Sequence, residues 1–152
     1  MATMPTVGLD CKAYYNSGTN ASPTWVEITD AIDVSYEYGT TQVEVKSRAS
    51  INLGHICGMI KHGATFTLLH TLGTNTVRAA LLGIVSGRAP KQFAFMDQAI
   101  ATTGAIGVKS YFNLESMNAS QPLEEGMTWD LSLKPAHFIE SSAKVEPTLV
   151  AI

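Results

Sequence analysis

The chain has 152 residues, ten basic and thirteen acidic, giving a formal net charge of −3 and a sequence pI near 5.7. That length suits one domain with a single core, the acidic balance argues against the basic face of a generic nucleic-acid binder, and two cysteines are too few for a disulfide scaffold. Only 15% of the residues are charged while 45% are apolar, against about 25% charged in an average soluble domain.

Met1 to Pro5 carries neither a basic stretch nor a continuous apolar run, so no secretory signal is expected there. No segment reaches the ~20 apolar residues that cross a bilayer. Folding in a cytoplasm is therefore expected, and the Asn20-Ala21-Ser22 and Asn118-Ala119-Ser120 sequons then carry no meaning. In that reducing compartment Cys11 and Cys57 read as two small buried thiols.

A Ser/Gly/Asn/Pro loop from Asn16 to Pro23 follows the first strand, and Trp25 begins the next apolar run as a core anchor. Tyr36 to Arg48 reads as a hairpin turning at Gly39-Thr40-Thr41, with Val43 and Val45 on one face and Glu44 and Lys46 on the other. A two-stranded ribbon is marginal alone in water. It must either add to its own sheet or be completed by another subunit. Ala49 to Gly63, with three glycines, reads as irregular.

Further along, Thr65-Phe66-Thr67-Leu68 alternates, and Phe93 and Phe95 bracket Ala94. Val108, Ser110, Phe112 and Leu114 face away from Lys109, Tyr111, Asn113 and Glu115. Trp129, Leu131 and Leu133 alternate with Thr128, Asp130 and Ser132, Trp129 serving as a second core anchor. These short β-branched or aromatic runs, separated by Gly, Pro, Asn and Ser, predict a mainly β domain over 1–152, an antiparallel β-sandwich or barrel. Between Val77 and Val85 the apolar spacing is helical, which predicts one flanking helix over about residues 75–86. Thr74 or Asn75 would cap it, Gly87 would be its C′ glycine, and Pro90 forbids continuation. Gln98 to Gly104 reads as a hairpin tip. Residues 141–152, with Pro147 and an apolar end, suggest a C-terminal arm docking on a neighbour.

The residues with chemical potential form no active site. His55, Cys57 and His62 lie close together, but their spacing matches no closed zinc pattern. There is no Gly-x-Ser-x-Gly elbow, no Walker loop and no dinucleotide fingerprint. Asp30 with Asp33, and Glu124 with Glu125, read as turn carboxylates. Lys46-Ser47-Arg48 is too small a cluster to grip DNA. No catalytic residue, cofactor or metal is expected. A folded monomer of this mass exposes about 7,500 Å², and an obligate interface removes about 2,000–5,000 Å². Low charge thus fits a protein covered by sister copies.

In order along the chain stand Trp25 to Asp30, Asp33-Val34-Ser35, Lys46-Ser47-Arg48 and Gly63 to Leu68, then the helix and Met96-Asp97. Gly107 to Ser110, Gln121 to Glu125 and Asp130 to Pro135 complete the series. In order and texture these landmarks resemble the phage major tail tube protein family, related to the inner tubes of contractile tails and type VI secretion. That resemblance implies a virion tail protein, assembled in the host cytoplasm as homohexameric rings stacked into a tube. Its partners would be itself and other tail proteins such as tape measure, terminator and distal tail proteins. DNA would pass through without specific binding, and no membrane is involved. The resemblance puts an inter-subunit hairpin and loop at 36–63, with Tyr36, Tyr38, Val43, Val45, Arg48, His55 and Ile60 as interface residues. Candidates for the lumen wall are Gln42, Glu44 and Lys46 with Lys109, Asn113 and Glu115. The alternatives are a tail terminator or secreted ring protein of related fold and, less favoured, a carbohydrate-binding β-sandwich.

Overall fold

The computed structural model describes residues 11–19, 21–49, 53–70, 76–136, 138–140, 143–145 and 148–151. Their elements are β1 (Lys12–Asn16), β2 (Trp25–Glu27), β3 (Ala31–Val45), β4 (Gly54–Leu69), α1 (Thr76–Gly87), β5 (Lys91–Met96), β6 (Ile106–Ser120), β7 (Thr128–Pro135), β8 (Phe138–Glu140), β9 (Ala143–Val145) and β10 (Thr148–Ala151). One sheet runs in the order β2-β1-β5-β6-β7-β4-β3, with β10 beside β6, and β8-β9 form a separate pair. Every pairing is antiparallel.

The sheet is rolled. Phe66 of β4 and Tyr36 of β3 have ring centroids 6.5 and 6.1 Å from that of Phe95 on β5, although β4 and β3 stand three and four strands away from β5. Flat strands about 4.8 Å apart would separate those rings by about 14–19 Å. The expected mainly β fold with one flanking helix is therefore a single curled sheet, a partly closed barrel. At its open seam, between β3 and the β1-β5 side, lies a cleft of about 670 Å³ lined by Ala13, Ile28, Ile32, Val34, Tyr36 and Met96.

Alternation puts the large side chains inside. Phe93, Phe95, Phe112, Leu68 and Leu133 are almost fully buried, each such burial stabilising by about 1.5–3 kcal/mol. Val77, Leu81 and Ile84 of α1 pack against them. Val85, expected on the same stripe, is exposed. On the other face of β1 and β5 a smaller cluster joins Tyr14, Ala94, Met96 and Ala105, with Trp25 packed against it; Trp129 packs against the main core. Asn16 organises the loop after β1: its Oδ1 accepts from the Gly18 and Thr24 amides at 2.8 and 2.9 Å.

Several expectations need correcting. Gly39, Thr40 and Thr41 make no turn; they lie within β3, which continues to Val45 and pairs with β4. Residues 54–63, expected to be irregular, are the first part of β4. Cys11 and Cys57 are both exposed, Cys57 because it lies on a ribbon that no further strand among the described residues covers. The helix runs through Gly87, and the left-handed residue is Arg88, at φ 51°. Thr74 and Asn75, the expected caps, lie outside the described residues. Within the segment 141–152, Thr148–Ala151 pairs with Ile106–Lys109 of its own chain. Among the described residues no helix is long and apolar enough to cross a membrane.

Candidate assembly surfaces

Where β3, β4, β7 and β6 lie side by side, the register fixes what each face carries. Phe66, Leu68, Leu131, Leu133 and Leu114 point to the core. On the outer face, Ser35, Thr65, Ser132 and Ser116 align across the four strands. Thr67 pairs with Asp130 and donates its hydroxyl hydrogen to the carboxylate at 2.8 Å. A bulge between Leu114 and Ser116 gives β6 one extra residue, Glu115. Its carboxylate sits on the outer face, accepting from Ser132 Oγ at 2.8 Å and lying 3.7 Å from Lys134 Nζ. Glu37 and Lys61 form a second pair at 2.9 Å. A hydrogen bond from Lys61, followed by its positive charge, holds the Glu37 carboxyl below the usual carboxylate range. The face is thus polar, small in side chain and mixed in sign.

Beyond that patch the hairpin runs on alone. β7 pairs with β4 only from Ala64 to Leu69, so among the described residues Tyr38 to Val45 and Gly54 to His62 make sheet pairings only with each other. Nine residues of strand reach about 30 Å. Halfway along, two residues of β4, Gly58 and Met59, oppose the single Thr41, a bulge that bends and twists the ribbon. A Cβ on Gly58 would run into the Thr41 hydroxyl and come within 3.3 Å of its carbonyl oxygen, so any larger residue would have to displace the Thr41 side chain. Past the bulge, Val43 pairs with Ile56 and Val45 with Gly54 on one face, while Gln42 meets Cys57 and Glu44 meets His55 on the other. Ile56 and Met59 are 60% and 82% exposed.

Of the residues expected at an interface, Val43 and Val45 share this apolar ribbon face. Tyr36 and Tyr38 sit at the mouth of the barrel, on its core side, Tyr36 stacked on Phe95. His55 is on the polar ribbon face, Ile60 opposes Thr40, and Arg48 lies in the turn after β3. The expected lumen residues are not brought together. Asn113 and Glu115 lie on the outer polar face, and Lys109 is on the same side but over Trp25, 5.3 Å from its ring. Gln42, Glu44 and Lys46 have the opposite parity to Glu37 on β3 and belong to the other side of the sheet. Glu37, Lys61, Thr65, Thr67, Asp130, Ser132 and Lys134 were missed, although alternation at 65–68 and 129–133 already marked part of the set.

The bulge and the barrel wall separate His62 from His55 and Cys57, which lie close to it in sequence. His62 is buried, with Nε2 2.9 Å from Ser110 Oγ, whereas His55 and Cys57 are exposed beyond the bulge. Among the described residues no group of three or more His, Cys, Asp or Glu is placed to hold a metal ion.

A curled antiparallel sheet, one helix packed on its core side and a long projecting hairpin together make the tail tube fold. The chain is similar to the SPP1 tail tube, with a TM-score of 0.72 and 15% identity over 97% of this chain and 80% of that one. The tail of an empty gene transfer agent particle, refined with six-fold symmetry, gives 0.70 and 14% over 97% and 100%. The tube-terminating cap of the anti-feeding prophage gives 0.68 and 10% over 100% and 95%. At these identities the likeness is one of fold. Neither a protein-family model nor a curated protein matches the sequence.

Proposed function

We propose that the chain is a structural subunit of the tail tube of a phage or phage-like particle, built as stacked homohexameric rings around a conduit for DNA, with no catalytic role. The observation that carries this is the ribbon of Gly39–Val45 and Gly54–Lys61, whose apolar side no other strand among the described residues covers. Such a ribbon is unstable in water by itself, and a second copy is the natural cover. The outer polar face of β3, β4, β7 and β6 lines the channel, the open edge of β3 meets the neighbour in the ring, and the ribbon reaches the next ring. Terminator, tape measure and distal tail proteins are the further partners, and the place of action is the virion tail, after assembly in the host cytoplasm.

Electron microscopy of the purified protein tests this. Tubes of six-fold rings are expected; monomers alone at every salt and protein concentration would sink it. The likeness to a tube-terminating cap keeps one second reading, a terminator, which would give discrete rings that never lengthen.

A further inference from the structure

Among the described residues the outer face of β3, β4, β7 and β6 carries three ammonium groups: Lys109 lies over the Trp25 ring, while Lys61 and Lys134 are each within ion-pair distance of a carboxylate on a neighbouring strand. Glu37 reaches Lys61 across the β3–β4 pairing, and Glu115 reaches Lys134 across β6–β7. The second arrangement depends on a local irregularity: only the bulge at Glu115 lets this residue and Ser116 both face outward, and Ser132 then orients the carboxylate. Asp130 adds a third negative charge, bonded to Thr67. All four paired side chains are more than half exposed, and exposed pairs of this kind add little to folding. What they do change is the local field, because an unpaired lysine on such a wall is a phosphate site.

We infer that Glu37 and Glu115 act as charge masks, neutralising Lys61 and Lys134 so that the wall does not hold the phosphates of double-stranded DNA moving past it. This rests on the proposal that the face lines the conduit, and it assigns a role to four particular side chains within it. Glu37 stays ionised at pH values where an ordinary carboxyl begins to protonate, so its mask survives mild acidification.

The test couples the protein densely to beads and uses a short DNA duplex as probe. The native chain is expected to retain almost none. The Glu37→Gln/Glu115→Gln variant should retain it, with binding that falls about 10-fold between 50 and 200 mM salt if both lysines engage phosphate. Adding Lys61→Gln and Lys134→Gln should abolish that retention, and Glu37→Gln alone should show about half the salt slope. Masking is overturned if the Gln variants, folded by circular dichroism, retain no more duplex than the native chain, or if retention survives loss of the lysines. The underlying wall assignment is tested separately with Thr65→Cys in a Cys11→Ser/Cys57→Ser background. In assembled tubes a small maleimide should label Thr65→Cys and a large polyethylene-glycol maleimide should not. Labelling by both puts the face outside the tube and overturns the wall and, with it, the masks. Labelling by the small reagent alone, without DNA retention by the Gln variants, overturns the masks only.

Discussion

A β-carbon at Gly107 would run into the carbonyl oxygen of Phe95 and come within 2.8 Å of the Met96 Cα, at a point where β5 and β6 are paired. Neither neighbour can yield without disturbing Phe95 in the core. Gly107→Ala is therefore expected to lower stability by about 1–3 kcal/mol, seen as a lower urea midpoint with an unchanged slope. Arg88 shows the opposite situation, since its left-handed backbone at φ 51° favours glycine. Arg88→Gly relieves a strain of about 1–2 kcal/mol against a smaller entropy cost, so the melting temperature should rise. Glu37 offers a pH readout. Because its folded-state pKa is lowered by Lys61, the favourable contribution of the pair is complete above the ordinary carboxylate pKa and is lost as pH falls through the lowered one. A titration followed by carbon NMR should place the Glu37 midpoint below that of an ordinary glutamate, and Lys61→Gln should return it to the ordinary range.

At the level of whole elements, the ribbon separates what local sequence can say from what it cannot. Val43, Val45 and Ile56 are exposed and contribute little to the barrel. Val43→Asp with Ile56→Asp should leave far-UV circular dichroism and melting of the dilute protein nearly unchanged while abolishing assembly in sedimentation velocity. The strands around Phe66, Phe93, Phe112 and Leu131 were legible because alternation is written into consecutive residues, and the helix was legible from its Val77, Leu81 and Ile84 spacing. The ribbon was not. Gly39-Thr40-Thr41 carries a turn signal, but β4 supplies a partner straight through it, and long-range pairing overrides local preference. The glycines at 54, 58 and 63 suggested a loop, yet they begin a strand, permit the bulge beside Thr41 and leave an open position between neighbouring strands. The composition of the polar face was hidden for the same reason. Parity within one run does not say which run lies beside it, and bulges at Thr40–Gln42 and Leu114–Ser116 break the count.

Taken whole, the described residues leave Val43, Val45, Ile56 and Met59 exposed along the projecting ribbon, apolar surface of the kind an obligate interface removes. A projecting ribbon that docks on a different surface of its neighbour makes a head-to-tail contact, which closes into rings or extends into filaments. Stability should then follow mass action: raising the protein concentration tenfold should raise the melting temperature of the native chain, and the Val43→Asp/Ile56→Asp protein should show no such dependence. The doubled residue opposite Thr41 has a last consequence for such growth. Deleting Gly58 would remove the surplus while still leaving Val43 across from Ile56 and Glu44 across from His55, because the partner count comes out the same on both sides. The shortened protein would keep its adhesive chemistry but hold it along a straighter stalk, and copies would cling to one another without ever finding a common axis.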